Sequence, residues 1–417
     1  VLVLLATALT GCRRNDDAPV DEPVQLSVFW FGGTQRAEAT EAALRLYSQR
    51  NPRVTFRVTW QNDAGYYQRL ATQTAAGNAP DLFQIDDDFL TEYAERDITL
   101  DLTDFVERGR LDLSGLSPSL VAYGRVDGRT VAVAAAENTP GLIYNRSLLR
   151  RIGVDDPRTG MTYQQYLDWA AEVTDRSGGR VAGSMDASAD YRALWLWLRA
   201  QGKELYQGRQ LGCTAGDVTR WFQLWQRARG QRATPSAAVV QPANSGIPAR
   251  QLVVTGRAAA SFAWSNQLSE FQGLTRDELG VMAYPGNPRA QWPRASMYWA
   301  GYRGTRHAAA VADVINFLTN DPQAGRILGT ERGLSANLVV RQAVAQAIPD
   351  AASRRMAVFE STMRDVFGPS PAPPPTGHAT VRARLVAAAE QVQYDRLTAA
   401  EAAEQFVKQA NAALGGG

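Results

Sequence analysis

Gly77-Asn78-Ala79-Pro80-Asp81-Leu82-Phe83-Gln84-Ile85-Asp86-Asp87-Asp88 decides the fold. Turn residues from Gly77 to Pro80 open the stretch, a short apolar run follows, and three consecutive carboxylates close it. An apolar run bounded by turn residues reads as a buried strand. In an open α/β sheet, ligands bind beyond the carboxyl ends of the strands. Asp86, Asp87 and Asp88 therefore stand where a ligand would sit. Adjacent residues at a strand end point to opposite sides, so at most two of the three converge on one point.

The chain before this stretch supplies the rest of the pattern. Val24–Phe31 alternates and is rich in β-branched and aromatic residues, as a strand is. Gly32-Gly33 breaks it, and Thr34 is the expected N-cap of a helix from Gln35 to about Arg50. Asn51-Pro52 stops that helix. Val54–Trp60 reads as a second strand and Tyr66–Ala76 as a second helix. The order is βαβαβ, the opening of a doubly wound sheet.

Two stretches, AAGNAPDLFQID and FWFGGTQRAEATEAALRLYSQRNPRVTFRV, resemble the sugar-binding subunits of bacterial ABC importers. These are the extracellular solute-binding proteins of family 1, related to maltose-binding protein. The likeness continues through ENTPGLIYNRSLL, GRAAASFAWSNQL, the Pro285-Gly286 turn, RASMYWAGYRG and VADVINFLTNDPQAGRILGTERGLSAN. It implies an α/β, two-lobed periplasmic-binding-protein fold, each lobe a mainly parallel sheet flanked by helices, joined by crossing hinge segments. The expected division is 24–136 with 300–333 for the first lobe and 137–299 with 334–417 for the second. Crossings are expected near Asn138-Thr139, at 294–304 and at Gly333-Leu334-Ser335.

The same resemblance marks a ligand site of Gly32, Gly33, Arg36, Asp86, Asp87, Asn138, Thr139, Trp264, Ser265, Asn266, Trp299, Tyr302 and Gly333. The chemistry suits a saccharide. Carboxylates and amides pair with rim hydroxyls, and an indole packs on the C–H face of a pyranose. Glycines at the head of a helix let backbone N–H groups come close to a ligand. Trp264 is the stacking candidate, with a structural tryptophan as the other reading. Gly32-Gly33 also reads as a plain tight turn, and 138–141 as a plain loop. Trp195, Trp197, Trp221 and Trp225 lie at helical spacing and read as core. No tryptophan stands between His378 and Tyr394, where maltose-binding protein has a cleft indole, so Arg382 or Arg384 is the expected substitute.

Val1–Gly11 is apolar but too short to span a bilayer as a helix. It reads as the h-region remnant of an export signal, residues 1–11. Leu9-Thr10-Gly11-Cys12 resembles a lipobox, which makes Cys12 the lipidated residue and 12–23 a tether on the outer face of the cell membrane. A cleaved soluble signal with an incidental cysteine is the alternative. Cys213 then has no intrachain partner and is expected as a buried free thiol.

Hydrophobic residues make up 45% and charged residues 21% of the 417, an ordinary globular balance. The formal net charge of +2 gives no reason to expect nucleic acid as a partner. With His307 and His378 the only histidines, no His-Glu-x-x-His pair exists, and no metal or cofactor is expected. No G-x-S-x-G and no phosphate-binding G-x-x-x-x-G-K occurs. The expected function is a monomeric binding subunit that delivers a di- or oligosaccharide to an ABC permease, not an enzyme. Two alternatives stay open. One is a secreted glycan-degrading enzyme, with Asp63, Asp86, Asp88 and Glu137 as candidate carboxylates. The other is the same fold binding a polyamine or cation at the three aspartates.

Overall fold

A computed structural model describes residues 22–61, 65–245, 247–348 and 350–415. The signal remnant, Cys12, nearly all of the tether and Asp63 lie outside them. The elements that place the site begin with β1 (Val24–Phe31), α1 (Thr34–Arg50), β2 (Val54–Gln61), α2 (Tyr66–Ala75) and β3 (Leu82–Ile85). Next come β4 (Val133–Asn138), β5 (Pro140–Asn145), α3 (Tyr163–Arg176), α4 (Tyr191–Arg199) and α5 (Ala215–Gly230). Then follow β6 (Ala260–Trp264), β7 (Leu279–Ala283), β8 (Arg294–Gly301), α6 (Ala308–Asn320) and β9 (Leu334–Ser335). Helices α7 (Ala351–Arg364), α8 (His378–Gln393) and α9 (Ala399–Gly415) end the chain.

The first sheet has the order β9-β4-β8-β3-β1-β2. β1 lies parallel to β2 and β3, as the βαβαβ pattern requires, while β8 runs antiparallel to β3 and β4. The second sheet, β6-β5-β7, is antiparallel throughout. The two-lobed α/β plan holds, but the second lobe's sheet is not mainly parallel. Its central strand β5 enters directly from the crossing, and both neighbours run back toward that crossing. β8 also pairs into the first sheet from Arg294 onward, whereas the expected division put 294–299 in the second lobe.

Each sheet carries its own core. Leu26, Val28, Trp30, Phe83 and Ile85 pack with Trp299, Val311 and Ile315 in the first. Leu142, Tyr166, Trp195, Trp221, Trp225 and Phe262 pack with Val381 and Phe406 in the second. Ile143, one residue along from Leu142, points to the opposite face and packs with Phe271 and Met356. That is the two-residue period of a strand covered on both sides. Full burial of each large apolar side chain contributes roughly 1.5–3 kcal/mol, so these two cores dominate stability.

Helix boundaries follow local chemistry. Thr162 caps α3 through a capping box with Gln165, and Thr214 does the same for α5 with Asp217. α1 differs from expectation: its N-cap is Gly33, and Thr34 is already helical. Gly32 makes this turn at φ +143°, and a Cβ there would lie 2.5 Å from Cδ of Arg36. The 369–375 proline run carries no helix or strand, in keeping with a stiff connector.

The crossing between β4 and β5 is locked from behind. Thr139 and Ser265 are fully buried, and both hydroxyls donate to Glu360 on α7, Thr139 Oγ1 at 2.6 Å. The Thr139 N–H donates to Ser265 Oγ at 3.1 Å. Glu360 is itself sealed from solvent, and burial, with Glu137 adding repulsion, pushes its carboxyl up to about 7. Nearby, Arg341 Nη1 donates to Glu137 at 2.9 Å.

An unfolded glutamate ionises near 4.5, so between about 4.5 and about 7 the folded chain holds a proton that the unfolded chain has lost. Glu360 therefore makes stability fall as pH rises through that window and level off above it. Glu360→Gln, which mimics the protonated acid, removes this part of the slope. Melting temperatures of both proteins from pH 4.5 to 8 test this: an unchanged difference across the range refutes it. Cys213 is free and 7% exposed, and burial pushes its thiol up to about 12. It should resist a thiol-specific reagent at pH 8 until denaturant is added, with absorbance of the released thiolate as the readout.

Candidate functional site

β3 ends at the carboxyl edge of the first sheet, and the three aspartates that follow it each meet a different environment. Asp87 is 3% exposed and accepts from Nε and Nη2 along one edge of the Arg294 guanidinium, Nε at 2.5 Å. Asp88 pairs with Arg382 and lies 3.3 Å from Nε2 of His378. Burial alone would raise the Asp88 carboxyl, but Arg382 and His378 outweigh it and hold it below the usual range. Asp86 has no such ion pair. Burial and the nearby Asp88 charge push it up to about 7, against the pull of Arg294 and Arg382. Asp86 and Asp88 are thus pushed in opposite directions because only Asp88 has a cation in contact.

The second lobe brings β6, α4 and α8 to the same point. Trp264 closes β6. Arg192 stands in the first turn of α4, held by Asp190, which also caps that helix. His378 opens α8, with Nδ1 and the Tyr206 hydroxyl 2.5 Å apart, and Arg382 lies one turn further on. The Arg294 guanidinium carbon sits 4.3 Å from the Trp264 ring centroid and that of Arg192 4.7 Å from it. Such contacts contribute about 0.5–2 kcal/mol each. The remaining cavity, bounded by Asp87, Pro140, Tyr191, Arg192, Trp264 and Arg294, measures about 10 Å³, room for about one water.

The lobes are therefore shut on one another. Arg294 to Trp264, Arg382 to Asp88, and Asn138 Nδ2 to Asn266 Oδ1 at 3.0 Å all cross the seam. So do Thr91 to the Pro374 carbonyl at 2.6 Å and Thr376 to Glu95 at 2.7 Å.

The expected site residues do not all come together. Asp86, Asp87, Asn138, Trp264 and Asn266 meet at the seam. Gly32, Gly33 and Arg36 lie on the same sheet edge, one strand across. There the Gly32 N–H already donates to the Gln61 carbonyl at 3.0 Å, and Arg36 donates to the carbonyls of Phe31 and Glu331. Gly333 adopts φ +109° and presses on the Glu137 backbone, where a Cβ would fall 2.4 Å from the carbonyl oxygen. Thr139 and Ser265 turn away from the seam toward Glu360.

Trp299 and Tyr302 do not face the cleft. β8 runs antiparallel to β3, so it starts at the cleft and leaves it. Trp299 is 1% exposed in the first core, and the Tyr302 N–H bonds the Asp81 carbonyl at the far end of β3. Arg294, at the near end of the same strand, was missed, as were Asp190, Arg192 and Tyr191. A basic residue opening an apolar crossing strand was the available signal for Arg294. Of the two arginines expected to replace the cleft tryptophan, Arg382 reaches the seam and Arg384 is exposed. Among the described residues no group of three His, Cys, Asp or Glu side chains could hold a metal ion.

The constellation gathers charged groups and the Trp264 indole where the two lobes meet. Several solved structures share its fold. An extracellular solute-binding protein family 1 member from Alicyclobacillus acidocaldarius matches with a TM-score of 0.74 at 24% identity, over 94% of this chain and 99% of that one. An oligogalacturonide-binding protein from Yersinia enterocolitica, in complex with saturated digalacturonic acid, gives 0.80 at 17% identity, covering 94% and 98%. An ABC substrate-binding protein from Listeria monocytogenes in complex with cycloalternan gives 0.79 at 19%, covering 94% and 99%. No helix among the described residues is long and apolar enough to cross a membrane. The sequence model for bacterial extracellular solute-binding proteins matches residues 33–325, well over half of the chain, and the protein belongs to that family, whose members work outside the cytoplasm.

Proposed function

We propose that the protein is the extracytoplasmic binding subunit of a carbohydrate ABC importer, taking a di- or oligosaccharide between its lobes and handing it to the permease. The observation that carries this reading is Trp264. Its indole stands at the seam, with carboxylate and guanidinium groups from both lobes around it, Trp195 and Trp292 also on the cavity wall, and next to no space left over. Saccharide-bound relatives of the same fold support the ligand class. In the closed form, guanidinium groups cover the ring where a pyranose would stack. Binding then begins with an opening that parts Asp88 from Arg382 and Trp264 from Arg294. The sugar's C–H face takes the ring, and its hydroxyls take the freed carboxylates and guanidiniums. Closure buries the ligand and presents a joint surface of both lobes to the permease. Cys12, lipidated, tethers a monomeric receptor to the outer face of the membrane.

Calorimetry and intrinsic tryptophan fluorescence with a panel of di- and oligosaccharides test the reading. Saturable binding with the sugars recovered intact on thin-layer chromatography is the expected result. Silence toward every sugar, or cleavage of one, rejects it. Trp264→Ala should weaken binding of the best sugar at least about tenfold, since one aromatic contact is worth on the order of 1.5 kcal/mol. Arg382→Ala removes a charged tie across the seam. It should raise the radius of gyration of the unliganded protein in X-ray scattering, and saturating sugar should restore the compact value.

A further inference from the structure

The α1 face of the first sheet hides a cluster that the cleft does not use. β1 and β3 are paired in register at Val28–Leu82 and Phe29–Phe83, which puts Trp30 beside Gln84. Trp299 pairs with Gln84 from the other side. Trp30, Gln84 and Trp299 thus form a row across three neighbouring strands, about 4.8 Å apart. All three are sealed from solvent, at 0%, 0% and 1% exposure. Arg332, only 5% exposed, lays its guanidinium over the Trp299 ring with its carbon 5.4 Å from the centroid.

The cluster is short of partners. Arg332 Nη2 donates to Thr40 Oγ1 on α1 at 2.8 Å, but its Nε and Nη1 have no acceptor. Trp30 Nε1 and Gln84 Nε2 have none either. Among the described residues no carboxylate lies within ion-pair distance of Arg332, and the adjacent Glu331 is turned to solvent. A further charge that acts on it is Arg36, another cation, which packs over Gly32 and reaches the Glu331 carbonyl. Burial first, and Arg36 second, push the Arg332 guanidinium well below its ordinary value, against a weaker pull from the exposed Glu331 carboxylate. A buried charge with no counter-charge in contact is costly, and so is each orphaned buried N–H.

We infer that this cluster is a built site for one small monovalent anion, of the size of chloride, bound by Trp30 Nε1, Gln84 Nε2 and the Nε and Nη1 of Arg332. Water alone would satisfy the N–H groups and leave the charge uncompensated. An anion does both, and the sealed position limits it to a single small ion. Gln84 Oε1, the acceptor in the row without a partner, is left for a water beside the ion. The site ties α1, the first sheet and the segment leading into β9 to one another, at the foot of the third crossing. It stands apart from the saccharide reading, and neither depends on the other.

The test uses the full chain in sodium chloride and sodium gluconate at equal ionic strength and pH 7.5. Chloride is expected to raise the melting temperature by about 2–4 °C in a saturable way. Arg332→Met should abolish the difference between the two salts. Trp30→Phe keeps the ring, deletes one donor, and should shift the chloride midpoint several-fold upward. Crystals grown with bromide should show one anomalous peak between Trp30 Nε1 and Arg332, and that peak carries the inference even if Arg332→Met does not fold. Identical melting in both salts, or bromide crystals with ordered water only at this position, overturns it.

Discussion

Charge taken out of water governs how the two lobes meet. Asp87 and Arg294 are both nearly sealed from solvent and each would be costly to bury alone. Burial weakens the Arg294 guanidinium, bringing it down to about 10, yet it stays a cation at any physiological pH. It is therefore held against the carboxylate, and from that position it lies on Trp264. On the other side of Asp88, Arg382 and His378 come from a helix that belongs to the second core. The hydrophobic cores explain why each lobe folds. The paired charges explain why the lobes sit as they do, and why so little space is left between them.

Strand direction decides which side chains reach the seam. β3 runs toward it, so its last residues arrive there. β8 returns antiparallel, so its first residue arrives and its aromatic middle stays in the core. β5 starts from the crossing, and both of its neighbours run back to it, which delivers Trp264 at the end of β6. Residues behind this layer hold it in place. Thr139 and Ser265 do so through Glu360, and Gly333 through its close approach to the Glu137 backbone.

Much of this was legible in the chain. The strands at 24–31, 54–60 and 82–85 and the helices between them follow from alternation, turn residues and caps. The indole at 264 and the aspartates at 86–88 were visible as strand-end residues. The four helical tryptophans read as core, and Trp195, Trp221 and Trp225 are buried there. Trp299 and Tyr302 were misplaced because a single sequence does not state which way a crossing strand points. Arg192 went unnoticed because an arginine in the first turn of an amphipathic helix looks like any solvated residue until the opposite lobe covers it.

The sequence by itself determined the local elements, the α/β plan and the carboxylates waiting at a strand end. Those depend on periods of two and 3.6 residues, which can be read in windows of a dozen positions. Only the tertiary structure decided which charges neutralise which. Asp87 and Arg294 lie 207 residues apart, and Asp88 and Arg382 lie 294 apart. No local pattern joins such pairs. They meet because strand order and direction carry them to one edge, where a carboxylate removed from water must find a cation.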